Sequence, residues 1–183
     1  MTLSDLGRRI CILGPSNSGK STLAEAIARK CGLHAIHLDQ LHHLPRTDWR
    51  PRPQKEFVAL HDEAILGDAW VIDGNYSVCM PQRIRRATGI ILLDTSAPLS
   101  LFRYLARCLS GHARVGALEG GRDRVTWNML HHIVVVTPGN RKRYAEIFRR
   151  IALPKIRLAS VGAIDGFYRQ SSLERQATAR SGR

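Results

Sequence analysis

Residues 14–21, with the sequence GPSNSGKS, constrain the fold of this chain more than any other segment does. They match the pattern GxxxxGK[ST] at every fixed position, between an apolar run rich in strand formers and a run of helix formers. Glycines let the backbone curl until consecutive N–H groups point inward, and the following helix adds its N-terminal dipole. Such a turn binds phosphate groups, and the order strand, turn, helix is typical of parallel α/β sheets.

The residue types in this loop predict how it binds a nucleoside triphosphate. Lys20 supplies a positive charge to the β- and γ-phosphates, and the Ser21 hydroxyl can ligate Mg²⁺. The sequence therefore predicts ATP and Mg²⁺ as cofactors. The residues predicted to bind the nucleotide are Gly14, Pro15, Ser16, Asn17, Ser18, Gly19, Lys20, Ser21 and Thr22.

Hydrophobic patterning divides the rest of the chain into alternating strands and helices. Strands are predicted at 9–13, 33–38, 70–74, 89–94 and 155–158, and helices at 21–30, 54–66, 99–109, 126–134 and 141–151. In the helix at 99–109 the spacing predicts that Leu101, Phe102, Leu105 and Leu109 face inward. We therefore expect an α/β fold with a doubly wound, mostly parallel, five-stranded sheet. We expect one domain at 1–170, containing a lid region at about 99–150, and a flexible tail at 171–183.

Positive charge is concentrated in the second half of the chain. The 28 Lys and Arg residues against 15 Asp and Glu residues give a net charge of +13. Residues 1–90 carry 12 basic and 9 acidic side chains, whereas 103–157 alone carries 12 basic and 3 acidic ones. Such an excess indicates a polyanionic partner, and a lid that closes over triphosphate accounts for a part of it.

Several classes of protein do not fit the sequence. No NKxD motif for guanine recognition is present, and 183 residues are few for a motor ATPase. The chain has no apolar stretch long enough for a membrane span, no secretory signal, and no CxxC spacing among its four cysteines. A small kinase without a membrane partner is the remaining expectation, located in the cytoplasm, or in the host cytoplasm if a phage encodes it.

Four short motifs in the first half carry a resemblance to a known group. They are GPSNSGKST at 14–22, HLD at 37–39, WRPRPQKEF at 49–57 and WVIDGNY at 70–76. With them the chain resembles the small P-loop kinases related to adenylate and shikimate kinases, and most closely the FlaR-like DNA topology modulation proteins. The resemblance implies the fold and the use of a nucleotide better than it implies a substrate.

Two carboxylates acquire roles through this resemblance. In kinases of this type the strand beside the P-loop strand ends in an acidic residue near the metal, and Asp73 looks like that residue. Asp94 competes with it, because it also ends a strand. Asp39 follows the second strand and is similar to the Asp of shikimate-type kinases, which implies that it orients or deprotonates an acceptor hydroxyl. An ordinary helix N-cap is the alternative for Asp39.

Arginines entering the lid region complete the predicted catalytic set of Lys20, Asp39, Arg103 and Arg107, beside the metal ligands Ser21 and Asp73. Arg103 and Arg107 are four residues apart on one helix, so both can reach the same phosphate. A second set of basic residues lies in the glycine-bearing stretch that follows: Arg114, Arg122 and Arg124. For each arginine a solvated surface position is the alternative.

Two other patterns have plain interpretations. The pairs His42-His43 and His131-His132 lack a partner at metal-binding spacing, which favours loop or surface histidines. Trp49, in the loop after Asp39, either stacks on a substrate base beside Arg50 and Arg52 or packs under its own loop.

The basic second half leads to a functional hypothesis. We expect an ATP-dependent kinase that transfers the γ-phosphate to a hydroxyl of a nucleotide or nucleic acid. One form of this acceptor is a hydroxymethyl-pyrimidine base in DNA, which requires base flipping or an accessible strand. The first alternative is a kinase of a free nucleoside monophosphate or small metabolite. The second is a non-catalytic, nucleotide-gated DNA-binding protein. The sequence leaves the oligomeric state open.

Overall fold

The computed structural model describes residues 1–47, 49–110, 127 and 137–175. Its centre is a five-stranded sheet formed by β1 (Arg9–Leu13), β2 (His34–His37), β3 (Trp70–Asp73), β4 (Gly89–Leu93) and β5 (Lys155–Leu158). The strand order is β2-β3-β1-β4-β5, and every neighbouring pair is parallel. The predicted α/β fold with five parallel strands is confirmed.

Helices cover both faces of this sheet. They are α1 (Lys20–Cys31), α2 (Leu38–His42), α3 (Gln54–Ala64), α4 (Met80–Arg86), α5 (Ala97–Ser110), α6 (Thr137–Arg150) and α7 (Val161–Gln170), with short 3-10 turns at Ser4–Leu6 and Ser77–Cys79. Gly32 ends α1 with φ 61°, and its N–H donates to the carbonyl of Ala28. The predicted helix at 126–134 lies outside the described residues, apart from residue 127.

Alternating side chains of β1 divide the core into two layers. Ile10 and Ile12 pack with one cluster, which includes Leu23 of α1, while Cys11 and Leu13 pack with another, which includes Phe57 of α3. This is the two-residue period of a strand buried on both faces. The doubly covered sheet leaves the carboxyl ends of its strands as the edge where a ligand can bind.

Helix α5 turns a different face inward from the one predicted. Ser100 and Tyr104, four residues apart, are buried, whereas Phe102 is 69% exposed and Leu105 is 37% exposed. Because residues four apart share one face of a helix, burial of the Ser100 and Tyr104 row turns Phe102 outward. The predicted inward position is therefore wrong for Phe102 and Leu105, while Leu101 is half-buried and the side chain of Leu109 lies outside the described residues.

The chain remains packed beyond the predicted start of the tail. Leu173 is buried in the same cluster as α1 and α7, and Arg175 pairs with Asp165 and lies over the ring of Tyr168, 4.5 Å from its centroid. An apolar side chain and a cation over an aromatic ring fix these residues. The packed part therefore extends at least to Arg175, and residues 176–183 lie outside the described part. No helix among the described residues has the length and apolar character to cross a membrane.

Candidate active site at the carboxyl edge of the sheet

The phosphate-binding loop lies between β1 and α1, as its sequence predicts. Three of its residues have positive φ: Gly14 at 146°, Asn17 at 61° and Gly19 at 95°. A Cβ on Gly14 would stand 2.4 Å from the carbonyl oxygen of Leu93, so only glycine fits where the loop passes β4. The predicted nucleotide-binding residues, from Gly14 to Thr22, occupy this turn and the first turn of α1.

Two cations point toward this loop from different elements. The Lys20 Nζ donates to the carbonyl oxygen of Pro15 at 2.7 Å. From α5, Arg103 Nη1 donates to the carbonyl oxygen of Ser18 at 2.9 Å. The structure thus brings together Lys20 and Arg103, which the sequence placed in the catalytic set. The side chain of Arg107 and the whole of Arg114, Arg122 and Arg124 lie outside the described residues.

A chain of polar side chains connects α1, β3 and β2 directly behind the loop. Ser21 Oγ donates to Asp73 Oδ2 at 2.6 Å. The other Asp73 oxygen, Oδ1, is 2.8 Å from His37 Nδ1, and His37 Nε2 is 3.1 Å from Glu25 Oε1. Local geometry explains each contact: His37 and Asp73 are register partners on adjacent parallel strands, and Glu25 lies one helical turn after Ser21.

This environment favours the charged form of His37. Burial would lower the pKa of His37, but hydrogen bonds and charges from Asp73 and Glu25 outweigh burial and raise it. Asp73 is only 5% exposed, and each of its oxygens has a partner. The carboxylate is therefore held in one orientation beside the start of α1.

The donor atoms at this point suit Mg²⁺. The ion prefers hard oxygen ligands and keeps several waters, so a hydroxyl and one carboxylate form a sufficient protein share. Ser21 and Asp73 present these two groups 2.6 Å apart. Among the described residues no group of three or more His, Cys, Asp or Glu side chains could hold a metal. If Mg²⁺ binds at this loop, Ser21 and Asp73 are the residues that would hold it.

Asp39 lies at the same edge, in the first turn of α2 rather than at the end of the strand, because β2 ends at His37. The Tyr76 hydroxyl donates to Asp39 Oδ1 at 2.8 Å. The Tyr76 ring stacks on His42 at a centroid distance of 4.5 Å, and Phe57 is 5.1 Å from it. Aromatic packing therefore fixes the hydroxyl that orients the Asp39 carboxylate.

The loop after Asp39 is folded on itself. Arg52 pairs with Glu56 at 2.8 Å and donates to the carbonyl of Leu41, so it has structural partners. Trp49, with φ 56°, meets His43 edge-on at 5.2 Å. The packing alternative for Trp49 thus has a definite contact in the structure.

Asp94 differs from Asp73 in its surroundings. It is buried at the end of β4 and accepts hydrogen bonds from Arg141 of α6 and Arg157 of β5. Burial would raise the pKa of Asp94, but the hydrogen bonds and charges of the two arginines outweigh burial and lower it. This carboxylate joins α6 and β5 to the sheet, whereas Asp73 faces the loop.

Sequence reasoning gave no role to several residues that the structure places at this edge. They are Glu25, His37, Asn75, Tyr76 and Arg83. His37, Asn75 and Tyr76 lie within the HLD and DGNY motifs, so a signal for them was present. The motifs do not specify the order of strands in the sheet, and this order decides which residues become neighbours.

Comparison with known proteins adds support at the level of the fold. No protein-family model matches the chain, and no curated protein does. The chain is similar to a shikimate kinase from Acinetobacter baumannii in complex with shikimate, with a TM-score of 0.56 and 14% identity, over 90% of this chain and 91% of that one.

Two further solved structures have lower scores. A gluconokinase from Sinorhizobium meliloti 1021 has a TM-score of 0.49 and 17% identity, over 92% of this chain and 95% of that one. An unliganded sugar kinase from Janibacter sp. HTCC2649 has a TM-score of 0.49 and 15% identity, over 91% and 95%. The resemblance to FlaR-like proteins stays a prediction. The parallel sheet, the loop geometry and the shikimate kinase similarity together show that this chain has the α/β fold of the P-loop NTPases.

Proposed function

We propose that the chain is an ATP-dependent kinase of a small hydroxylated metabolite or free nucleoside monophosphate. The observation that carries this proposal is the 2.6 Å hydrogen bond between Ser21 and Asp73, which forms a magnesium-type donor pair at the edge that also holds Asp39. A P-loop kinase that phosphorylates a hydroxyl can use such a pair for Mg²⁺ and the nucleotide, and a separate carboxylate for the acceptor. The similarity to a shikimate kinase, whose structure contains shikimate, supports a small acceptor.

Partners of the basic residues weaken the case for a nucleic-acid acceptor. Arg141 and Arg157 pair with Asp94, and Arg149 and Arg150 pair with Glu146. Lys155 Nζ donates to three carbonyl oxygens at the end of α6. Together with Arg103, which donates to the carbonyl oxygen of Ser18, these described residues account for six of the twelve basic residues between 103 and 157. We therefore prefer the small-molecule acceptor to DNA.

The residues at this edge divide the reaction between them. Lys20 and Arg103 neutralise charge on the phosphates, and Asp39 accepts the proton of the acceptor hydroxyl. The hydroxyl oxygen forms a bond to the γ-phosphorus as the bond from that phosphorus to the ADP oxygen breaks. Mg²⁺ held by Ser21 and Asp73 would neutralise charge on the β- and γ-phosphate oxygens.

Phosphate transfer from [γ-³²P]ATP to a panel of acceptors tests this proposal. The panel contains nucleoside monophosphates, sugar acids, hydroxylated cyclic acids, plain DNA and DNA with hydroxymethyl-pyrimidines. We expect label in one class of small acceptor and none in DNA. Label in DNA alone would favour the hypothesis that the acceptor is a nucleic acid. Absence of transfer to every acceptor, by protein that binds ATP, would contradict the kinase proposal itself.

Two variant pairs check the assigned roles. Lys20→Ala should abolish transfer, whereas Lys30→Ala, at the exposed end of the same helix, should keep it. Asp39→Asn should lower kcat by roughly 10²–10⁴-fold, the range for loss of a general base, with ADP affinity unchanged. Asp68→Asn, at a side chain that is 91% exposed, is the matched carboxylate control. Full turnover in Asp39→Asn would exclude Asp39 as the base.

A further inference from the structure

The three residues that follow β3, Gly74 to Tyr76, contact both halves of the candidate site. Asn75 bonds to the first residue of the phosphate-binding loop, and Tyr76 bonds to the carboxylate of Asp39. These two side chains are consecutive in sequence, so one short peptide segment separates the contacts. We call residues 74–76 the linking segment.

Asn75 makes a two-way contact with Gly14. The Gly14 N–H donates to Asn75 Oδ1 at 3.2 Å, and Asn75 Nδ2 donates to the Gly14 carbonyl oxygen at 2.5 Å. A primary amide can donate and accept side by side, whereas a carboxylate can only accept. Gly14 has φ 146°, so its two peptide groups take up an unusual relative orientation. The amide of Asn75 matches that orientation and fixes the start of the loop.

The linking segment is itself held by a buried cation from α4. Arg83 is 1% exposed, and its Nη2 donates to the carbonyl oxygens of Gly74 at 3.1 Å and Tyr76 at 3.4 Å. In the part of the chain that the structure describes, Nε and Nη1 of Arg83 have no hydrogen-bond partner. Burying a guanidinium is costly, and these two hydrogen bonds offset a part of that cost while they fix the carbonyl groups of Gly74 and Tyr76.

Close packing removes other freedom from the segment. Gly74 has φ 125°, and a Cβ there would stand 2.8 Å from the Cβ of Leu38, in the first turn of α2. The ring of Tyr76 packs against both His42 and Phe57, whose rings also contact each other. The backbone and the Tyr76 ring therefore have little room to move independently of α2, which carries Asp39.

We propose that Asn75 and Tyr76 are positioning residues that hold the phosphate-binding loop and Asp39 in one fixed relation, with Arg83 bracing the segment between them. The part that concerns turnover rests on the proposed kinase function. Asn75 acts on nucleotide binding through Gly14. Tyr76 acts on the acceptor side through Asp39.

Nucleotide binding and hydrogen exchange test the proposal without any acceptor. Asn75→Asp keeps the size of the side chain but replaces the donor facing the Gly14 carbonyl. We expect it to weaken MgADP binding about tenfold in calorimetry and to speed amide exchange in 14–19. Tyr76→Phe keeps the ring packing. It should leave MgADP affinity within twofold of wild type and speed exchange in 38–44.

Turnover supplies the second readout once an acceptor is labelled. Tyr76→Phe should lower kcat about tenfold with little change in KM for ATP, and it should have no further effect in an Asp39→Asn background. Tyr168→Phe, a buried tyrosine that packs with the other core cluster, is the matched control and should retain wild-type kcat. Thermal unfolding of each variant separates these effects from loss of fold.

Distinct results would overturn the inference and the proposed function. Unchanged MgADP affinity and unchanged exchange at 14–19 in Asn75→Asp would overturn the role of Asn75. Additive losses of kcat in the Tyr76 and Asp39 double variant, or wild-type exchange at 38–44 in Tyr76→Phe, would overturn the role of Tyr76. Absence of transfer by the wild-type protein contradicts only the kinase proposal, because the binding and exchange measurements still decide the positioning roles.

Discussion

Replacing Gly14 by alanine should destabilise the protein far more than a glycine-to-alanine change elsewhere. A residue with a Cβ at φ 146° strains the backbone and lowers the unfolding free energy by about 1–2 kcal/mol. The new Cβ would also overlap the Leu93 carbonyl oxygen, at 2.4 Å, and relief of such an overlap in a packed core costs about 1–3 kcal/mol. Alanine restricts the unfolded chain and recovers about 0.5 kcal/mol. The net loss is therefore about 3 kcal/mol.

Urea denaturation followed by circular dichroism measures this loss of unfolding free energy directly, and thermal unfolding gives the corresponding change in Tm. For a chain of this size each kcal/mol lowers Tm by about 2–4 °C, so Gly14→Ala should lower Tm by roughly 6–12 °C. MgADP affinity should fall as well, because the displaced residue begins the phosphate-binding loop.

Two other glycines separate the contributions. Gly32 has φ 61° with nothing within 4 Å of its added Cβ, so Gly32→Ala should cost only about 1 kcal/mol. Gly166 lies within α7, has no positive φ, and, like Gly32, has nothing within 4 Å of an added Cβ. Gly166→Ala should therefore raise the unfolding free energy by about 0.5–1 kcal/mol. If Gly14→Ala costs no more than Gly32→Ala, crowding against β4 does not explain the glycine, and the reasoning is refuted.

Three further outcomes follow from the contacts at the sheet edge. Asp94→Asn should lower the unfolding free energy by about 2 kcal/mol at pH 7. This loss is smaller than that for a fully buried ion pair, because the two arginine partners of Asp94 are partly exposed. Since the pKa of Asp94 is lowered in the folded state, this difference in unfolding free energy should be constant at pH 6–8 and shrink progressively as the pH falls below about 4. A difference that does not shrink at all between pH 6 and pH 2 would contradict it. In His37→Asn the shorter side chain cannot bridge Asp73 and Glu25, so Asp73 loses the contact that orients it. The Mg²⁺ concentration for half-maximal ADP binding should therefore rise about tenfold. An unchanged Mg²⁺ dependence would exclude this orienting contact. Arg103→Ala should weaken ATP binding more than Phe102→Ala, its exposed neighbour on α5, and equal affinities would exclude a phosphate role for Arg103.

The part of the site that sequence reasoning predicted is the part made of consecutive residues. The phosphate-binding loop, its flanking strand and its helix are encoded within about two dozen positions, so glycine spacing and local hydrophobicity were sufficient. Ser21 and Asp73 were paired only through resemblance to kinases with a known strand order. The structure places them in contact across 52 positions of sequence.

Contacts set by the order of strands could not be read from local patterns. His37 meets Asp73 because β2 and β3 are neighbours in register, although 36 positions separate these residues. Asn75 meets Gly14 across 61 positions. The inward face of α5 was missed for a related reason, since Ser100 is buried while Phe102 is exposed. Tertiary packing, rather than apolar spacing, selected that face.

The register between β2 and β3 makes this edge sensitive to changes in chain length. His37 and Asp73 lie side by side, and each is followed two positions later by a functional side chain, Asp39 on α2 and Asn75 after β3. An insertion or deletion of one residue within 37–39 or 73–76 would move Asp39 or Asn75 away from its present partner, Tyr76 or Gly14. The turns at 44–47 and 66–68, away from the functional side chains, can change length without this penalty. Length variation among relatives of this chain should therefore be confined to such turns and absent from the two short runs that end β2 and β3.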